Sequence, residues 1–405
     1  MTLLWSEVGK KGNGMAGTGD LRQRNLGLIL TEICRPARSG LAPSRSQIAR
    51  RSGLHKTTVS GLTDELLRAG LIVELSPVAA AQAGRPVVPL AAAPGRLAGL
   101  GLEINVEYIG LKALDLTGAV LAERFEAADQ RGSAPDQVLD RLASLSLDVV
   151  ARLERIGTPV VGVGLALPGL TTTGGGQLAL LNAPNLGWRE VDLRPFERRL
   201  GLALRLDNEA NLAARAEARL AGPDPAERSF VYLSAEAGIG AGLVADGALM
   251  SGLHGWAGEI GHVTVDPTGP VCTCGARGCL EVYAGRRALA RAAGLPGSPT
   301  PEEILAAFDA TSARLAEVTG HLATALSSTL NLLDISQVVL GGDYAVLAPL
   351  LAQPLQAALC ARVLAARWAG AEVTVRAARA GGGAAMDGAA WTVLDTVLAN
   401  PSPHL

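Results

Sequence analysis

Four residues within eighteen positions hold the densest donor chemistry of this chain: His262, Cys272, Cys274 and Cys279, in the stretch GEIGHVTVDPTGPVCTCGARGCLE. One imidazole and three thiolates are the donors of a closed tetrahedral structural zinc site, and Gly275 and Gly278 let the chain turn tightly around an ion. Redox thiols or chance spacing are the competing readings. A Cys-x-Cys with a third cysteine five residues on and a histidine ten residues upstream favours the metal. With four protein ligands no position is left for water, so such an ion braces a loop rather than reacting. Glu259 and Glu281 flank the cluster, and fixing the loop fixes both carboxylates. Carboxylates beside Asn or His are suited to vicinal hydroxyls, and LDNEANLAARAE offers Asn208 and Glu209 at the end of another strand. Taken singly, each acid reads first as a solvated helix cap.

These residues need strands and helices to position them. From about Leu97 the sequence alternates strand-like runs with long amphipathic helices, an α/β pattern. LAGLGLEINVEYIGLKALDLTGAVLAER and RSFVYLSAEAGIGAGLVADGALMSG each read as a strand, a turn and a returning strand, followed by helices. The repetition predicts two lobes of related architecture around a cleft. VVGVGLALPGL and SQVVLGGDYAVL read as buried strands ending in glycine turns at its mouth, and AGGGAAMDGAAWTVLDTVL opens a final helix.

The start of the chain is different in kind. Residues 1–90 carry 12 of the 36 Lys and Arg but only 6 of the 38 Asp and Glu, so a basic head precedes an acidic body. The asymmetry points to nucleic acid at one end only. LRQRNLGLILTEICR spaces Leu21, Leu26, Ile29, Leu30 and Ile33 as a helix does. Ser44 and Gln47 match a capping box, and Ala49 with Gly53 suits a tight crossing of two helices. The next helix is predicted over 56–69, with Val59, Leu62, Leu66 and Leu67 inward and Gly70 closing it. Its first turn presents Lys56, Thr57, Thr58 and Ser60 to base edges and phosphates, with Arg45 and His55 beside them. LIVEL and VVPL bracket a Gly84-Arg85-Pro86 turn, a β-wing whose Arg85 is placed to enter a minor groove. A small helical dimerisation domain is the competing reading of the same segment.

Bulk properties exclude several classes. At 405 residues, 48% of them hydrophobic, the chain has room for two or three cores. No uninterrupted apolar run is long enough for a membrane span. Met1 to Asp20 is glycine-rich without an apolar h-region and reads as a loose tail, not a signal peptide. Five cysteines are too few and too unevenly placed for a disulfide framework, which implies a reducing, cytoplasmic setting. The expected division is a flexible tail over 1–20, a winged helix–turn–helix over 21–92, and a two-lobed body over 93–405 containing the metal loop at 259–281.

The metal stretch closely resembles the zinc-and-sugar signature of the repressor–ORF–kinase (ROK) family, and LALPGL, NAPNLGW, LDNEANLAARAE and GIGAGLVADG match that family in order. The resemblance covers about residues 95–400, and the head resembles that of the regulatory branch, which includes the xylose repressors. It implies an α/β, two-lobed actin-like (ribonuclease H-like) sugar-kinase fold preceded by the winged helix–turn–helix domain, in a homodimer or dimer of dimers. It implies operator DNA and a sugar effector as partners. Asn208, Glu209, Glu259, His262 and Glu281 are the implied sugar contacts, with Gly169 and Asn182 as further candidates. His262 would then hold zinc through one ring nitrogen and present the other to the sugar or to a supporting residue.

Family kinases carry an Asp-x-Gly-Gly-Thr loop for the phosphates. Here that place reads LEINVEY, with Glu103, no glycine and an added Glu107. The second phosphate loop contains Glu236, and the catalytic Asp of the kinases is replaced by Glu209, one methylene longer. Phosphoryl transfer depends on positioning and on cationic or N–H stabilisation of the phosphates, which added acids oppose. The sequence therefore reads as a sugar-responsive transcriptional regulator, a repressor, with Glu209 as a vestigial base. The alternative is an ATP-dependent sugar kinase with a regulatory DNA-binding head.

Overall fold

The computed structural model describes residues 18–34, 42–78, 86–175, 177–222, 224–236, 238–308 and 312–405. The first 17 residues of the expected tail and the Gly84-Arg85 tip of the wing lie outside these. Contacts divide the chain into two units, Met1–Ala93 with Asp395–Leu405, and Pro94–Leu394.

The first unit contains α1 (Thr18–Cys34), α2 (Arg45–Ser52) and α3 (Lys56–Arg68), then β1 (Ile72–Glu74) and β2 (Leu90–Ala92). The first helix begins at Thr18, so residues 18–20 of the expected tail form its first turn. α2 starts at a capping box: the Ser44 hydroxyl accepts from the Gln47 amide, and the Gln47 side chain accepts from the Ser44 N–H. It ends at Gly53, in the left-handed conformation, and the chain turns there into α3. Leu26, Ile29, Leu30, Ile48, Val59 and Leu66 are buried without measurable exposure. Leu21, expected inward, is 56% exposed, because the buried face of α1 starts only at Leu26. β1 and β2 pair antiparallel, Ile72 opposite Ala92, and a further bridge joins Val78 to Val87.

The last segment, Asp395–Leu405, groups with this unit, whereas the sequence reading assigned it to the body. Gly27 explains the difference. A Cβ at this position of α1 would lie 2.6 Å from the Ala399 carbonyl oxygen and 2.9 Å from that of Leu398. The helix sits against the final main chain because position 27 lacks a side chain.

The second unit repeats one sheet order twice. β3 (Ala98–Ile104), β4 (Tyr108–Asp115) and β5 (Val120–Ala127) form an antiparallel meander. After α4 (Pro135–Arg155), β6 (Val160–Leu167) lies parallel to β3. β7 (Leu170–Thr172), β8 (Ala179–Ala183) and β9 (Trp188–Asp192) make a small separate sheet, and after α5 (Arg194–Leu200), β10 (Leu204–Asn208) adds parallel to β6. The order is β10-β6-β3-β4-β5.

α6 (Glu209–Leu220) leads to the second sheet, whose meander is β11 (Phe230–Ala235), β12 (Ile239–Ala245) and β13 (Ala248–Leu249). Helices α7 (Leu280–Ala284), α8 (Arg286–Ala292), α9 (Pro301–Ala307) and α10 (Ala313–Leu333) follow. β14 (Gln337–Gly342) is parallel to β11; after α11 (Asp343–Val346), α12 (Ala348–Cys360) and α13 (Leu364–Ala369), β15 (Thr374–Ala377) is parallel to β14. The order β13-β12-β11-β14-β15 reproduces the first, as the two hairpin-like segments predicted. α14 (Ala384–Ala399) closes the body.

Each sheet has its own aliphatic core, and a third cluster unites Leu212 and Ala214 of α6 with Ala385 and Ala389 of α14. β3 is buried at every residue, as a central strand must be, whereas the edge strand β5 exposes Glu123 and Arg124, charges that discourage further strand pairing. Carboxyl ends of strands in both sheets deliver the chemistry: Asn105 follows β3, Glu209 follows β10 and Glu236 follows β11. Among the described residues no helix is long and apolar enough to cross a membrane.

The Gly27 contact makes a signed prediction. Gly27→Ala should cost about 1–3 kcal/mol from overpacking, despite its gain in helix propensity. Gly61→Ala on α3, where the new methyl meets nothing within 4 Å, should instead stabilise by about 0.5–1 kcal/mol. Denaturant unfolding followed by circular dichroism measures both, and equal effects would refute the packing argument.

Candidate functional site

The four donors predicted to converge do so. One ligand atom from each of His262, Cys272, Cys274 and Cys279 lies within 4.8 Å of the others. The His262 Nδ1 to Cys272 Sγ distance is 3.9 Å, and Cys274 Sγ lies 3.7 Å from Cys279 Sγ. A tetrahedron with metal–sulfur bonds of about 2.3 Å has edges near 3.8 Å, so this group can hold a metal ion. The loop closes through isolated bridges, Thr264 with Cys279 and Val271 with Arg277. Gly278, at a φ of 66°, permits the tightest turn, since a Cβ there would meet the Asp266 carbonyl oxygen at 1.6 Å. Burial and the other thiols push Cys279 up to about 12, while the Ala276 backbone N–H draws Cys274 below its ordinary value. Three thiolates in this space require a cation among them.

The metal loop forms one wall of a cleft between the two sheets, enclosing about 840 Å³ with solvent at its mouth included. Gly169, Asn208, Glu209, Glu259, His262 and Glu281 all line it. Asn208 caps α6: its Oδ1 accepts from the Ala210 N–H at 2.8 Å, while its Nδ2 donates to the Gly169 carbonyl at 3.1 Å. Glu281 accepts from the Ile239 N–H at 3.0 Å, which joins the metal loop to β12. Because His262 turns Nδ1 towards Cys272, its Nε2 is left 4.0 Å from Glu259. Burial raises the Glu259 carboxyl above its usual range, partly opposed by His262.

Asn182 does not line the cleft. It belongs to β8, where it is paired with Leu170 and Arg189, and the residues of this segment that line the cleft are Ala183, Pro184 and Asn185. The sequence reading also omitted Trp256, which lines the cleft while its indole N–H donates to the Thr171 carbonyl at 2.8 Å. This bond ties the loop before the metal site to the small sheet opposite. The HGWAGE stretch carried the signal, an aromatic three residues before Glu259.

Glu209 of the cleft wall is joined by Glu103 and Glu236, and the three bring carboxylate oxygens within 4.8 Å of one another. Charged carboxylates at this separation repel by about 3–4 kcal/mol per pair at an effective dielectric of about 20. Burial, then Glu236, pushes Glu103 up to about 8; burial is also the main reason Glu236 rises to about 7. Glu209 is raised well above its ordinary range by burial and by both neighbours.

The segments carrying Glu107 and Glu236, expected from the resemblance as phosphate loops, bond across to the opposite lobe. Asn105 Nδ2 donates to Glu236, and Glu107 pairs with Arg286. Arg286 is itself clamped to Asp343, at 2.6 and 3.0 Å. Glu107, expected as a further bare acid, is thus a member of an ion-pair network.

In the head, Lys56 and Thr57 are exposed and Thr58 and Ser60 half-buried at the start of α3. His55 precedes the helix, its Nδ1 2.8 Å from the Thr57 hydroxyl. Arg45, expected to face DNA, is committed within the head, to Asp64 at 2.8 Å and Glu74 at 2.6 Å. Arg85 lies outside the described residues.

Comparison with known proteins places this geometry. The model of the ROK family matches residues 100–396. A putative xylose repressor from Caldicellulosiruptor sp. (strain Rt8B.4) is 35% identical over 247 residues, 61% of this chain and 61% of its own length. A glucokinase from Halalkalibacterium halodurans is 32% identical over 316 residues, 73% of this chain and 94% of its own. Among solved structures, a ROK family transcriptional regulator, homologue of the E. coli MLC protein, superposes with a TM-score of 0.74 at 26% identity. It covers 94% of this chain and 97% of its own. The chain thus spans about three fifths of the length of the repressor relative.

The Cys3His group predicts about one bound metal ion per chain by elemental analysis of the purified protein. Cys274→Ser, at the exposed thiol, should lose that ion and lower the melting temperature. Full-length folded protein without stoichiometric metal would remove the cluster from the site.

Proposed function

The chain belongs to the ROK family, and from that premise we propose that it is a sugar-responsive, DNA-binding transcriptional regulator, a repressor of carbohydrate-use genes. The observation that carries this reading is the contrast within one cleft. Its sugar-facing wall keeps Asn208, Glu209, Glu259, His262 and Glu281 together, while its nucleotide side is occupied by bonds between the chain's own side chains. Asn105–Glu236 and Glu107–Arg286 connect the segments that a nucleotide's phosphates would separate.

Zinc is the ion that one imidazole and three thiolates fit best, and when bound it supplies structural bracing without an open coordination position. The chain's own residues do the recognition. Glu259 and Glu281 accept from sugar hydroxyls, and His262 presents its Nε2 to the same space. Asn208, fixed by its two hydrogen bonds, sets the opposite wall. Sugar between the lobes selects one lobe arrangement, and operator affinity differs between the arrangements. Converting a 99:1 population to 1:99 needs about 5.5 kcal/mol of differential sugar affinity. In a homodimer or dimer of dimers the recognition helices read half-sites about one helical turn, or a multiple of it, apart.

A kinase reading has one observation in its favour: Glu209 stands on the cleft wall where a general base is needed. The tests separate the two. Duplex DNA from the protein's own upstream region should bind in a salt-sensitive way. The correct sugar should weaken that binding by about tenfold or more, the lower part of the allosteric range. Lys56→Ala should lower the salt slope by about 1. A coupled assay should show no ATP turnover dependent on a hexose or pentose; sugar-dependent turnover would establish the kinase instead.

A further inference from the structure

Sugar and DNA recognition use Glu209 but leave its convergence with Glu103 and Glu236 unexplained. Glu103, Glu209 and Glu236 come from three elements, the end of β3, the first turn of α6 and the residue after β11, so their convergence is long-range. Glu103 is 1% exposed, and its Oε2 has no hydrogen-bond partner. A buried carboxylate oxygen in this state needs a counter-charge or a proton. The cationic side chains that act on the triad are engaged elsewhere. Lys112 lies 3.3 Å from both Glu123 and Asp387 and donates to the Gly382 carbonyl, and Arg286 is held by Asp343 and Glu107. Asn105 supplies one neutral donor to Glu236 and leaves the excess charge in place.

We propose that Glu103, Glu209 and Glu236 hold a hard divalent cation, of calcium size, that bridges the two lobes. All three donors are carboxylate oxygens, the set chosen by calcium, magnesium and manganese rather than by zinc. Calcium binds oxygen at about 2.3–2.6 Å, so oxygens on opposite sides of the ion lie about 4.6–5.2 Å apart. The triad's oxygens all lie within 4.8 Å of one another, close enough to share one such ion. Magnesium demands near-ideal octahedral geometry and dehydrates reluctantly, which three carboxylates fixed on separate elements suit less well than calcium's flexible shell. Glu103 stands at the end of β3 and Glu209 follows β10 in the first sheet, while Glu236 follows β11 of the second, so the ion fastens one lobe to the other. The soft Cys3His group and the hard triad then take different metals within the same unit. This proposal stands on the triad alone and does not require that the cleft bind sugar.

The test uses the full chain, with its zinc content measured before and after, and neither sugar, nucleotide nor DNA present. Calcium chloride is titrated by calorimetry and by thermal melting, with manganese and magnesium chlorides as parallel arms. The expected result is about one calcium per chain with a rise in melting temperature, manganese following and magnesium weakest. Glu236→Gln should lower calcium affinity at least about tenfold, since one charged ligand is lost. It should also melt above the unsubstituted protein in calcium-free buffer, because one of three crowded charges is gone. A merely structural Glu236 would leave the calcium response unchanged. Glu103→Gln should lose calcium binding likewise; if it fails to fold, Glu236→Gln alone decides. No saturable binding of calcium or manganese up to about 10 mM, beyond the weakest biological calcium sites, would overturn the proposal. So would calcium binding of unchanged affinity in Glu236→Gln.

Discussion

Negative donors cannot be gathered into a low-dielectric cleft without something positive to hold them, and this constraint governs the body of the protein. The cleft gathers anions twice. On one wall three thiols and an imidazole share a space the size of one tetrahedral ion; around Glu209 three glutamates crowd together. Burial disfavours the charged form in both, which is visible in the upward shifts of Cys279, Glu103, Glu236 and Glu209. The strands are arranged to impose this crowding. Two sheets of identical order bring the carboxyl ends of β3, β10 and β11 together at the cleft, and the Cys3His loop completes its side.

The same constraint separates the two halves of the cleft. A sugar is neutral and offers hydroxyls, so acids and amides along a wall suit it. A nucleotide brings its own negative charge, and the phosphate side here carries carboxylates rather than glycines. Where those carboxylates find partners, the partners belong to the chain: Asn105 for Glu236, and Arg286 for Glu107. Bonds of this kind hold the lobes to each other.

Features encoded by neighbouring residues were legible in the sequence. The capping box at Ser44, the left-handed turn at Gly53 and the duplicated hairpins all depend on local spacing. The metal cluster was legible because cysteine and histidine are rare in this chain, so four of them close together carry information. What escaped depends on partners far away in sequence. Arg45 looked like a phosphate contact until Asp64 and Glu74 were brought to it by folding. Glu107 looked like a bare acid until Arg286, 179 residues on, was placed beside it. Asn182 and Asn185 lie three apart in one motif, and only the strand pairing of β8 decides which side chain enters the cleft.

The grouping of Asp395–Leu405 with the head has a consequence for how the protein is born. The residues that settle against Gly27 are separated from it in sequence by the whole body. During synthesis the helices of the head wait for that segment through translation of some three hundred residues. Completion of the first unit is thereby coupled in time to synthesis of the second, and a chain cut short before Asp395 carries the head with Gly27 uncovered.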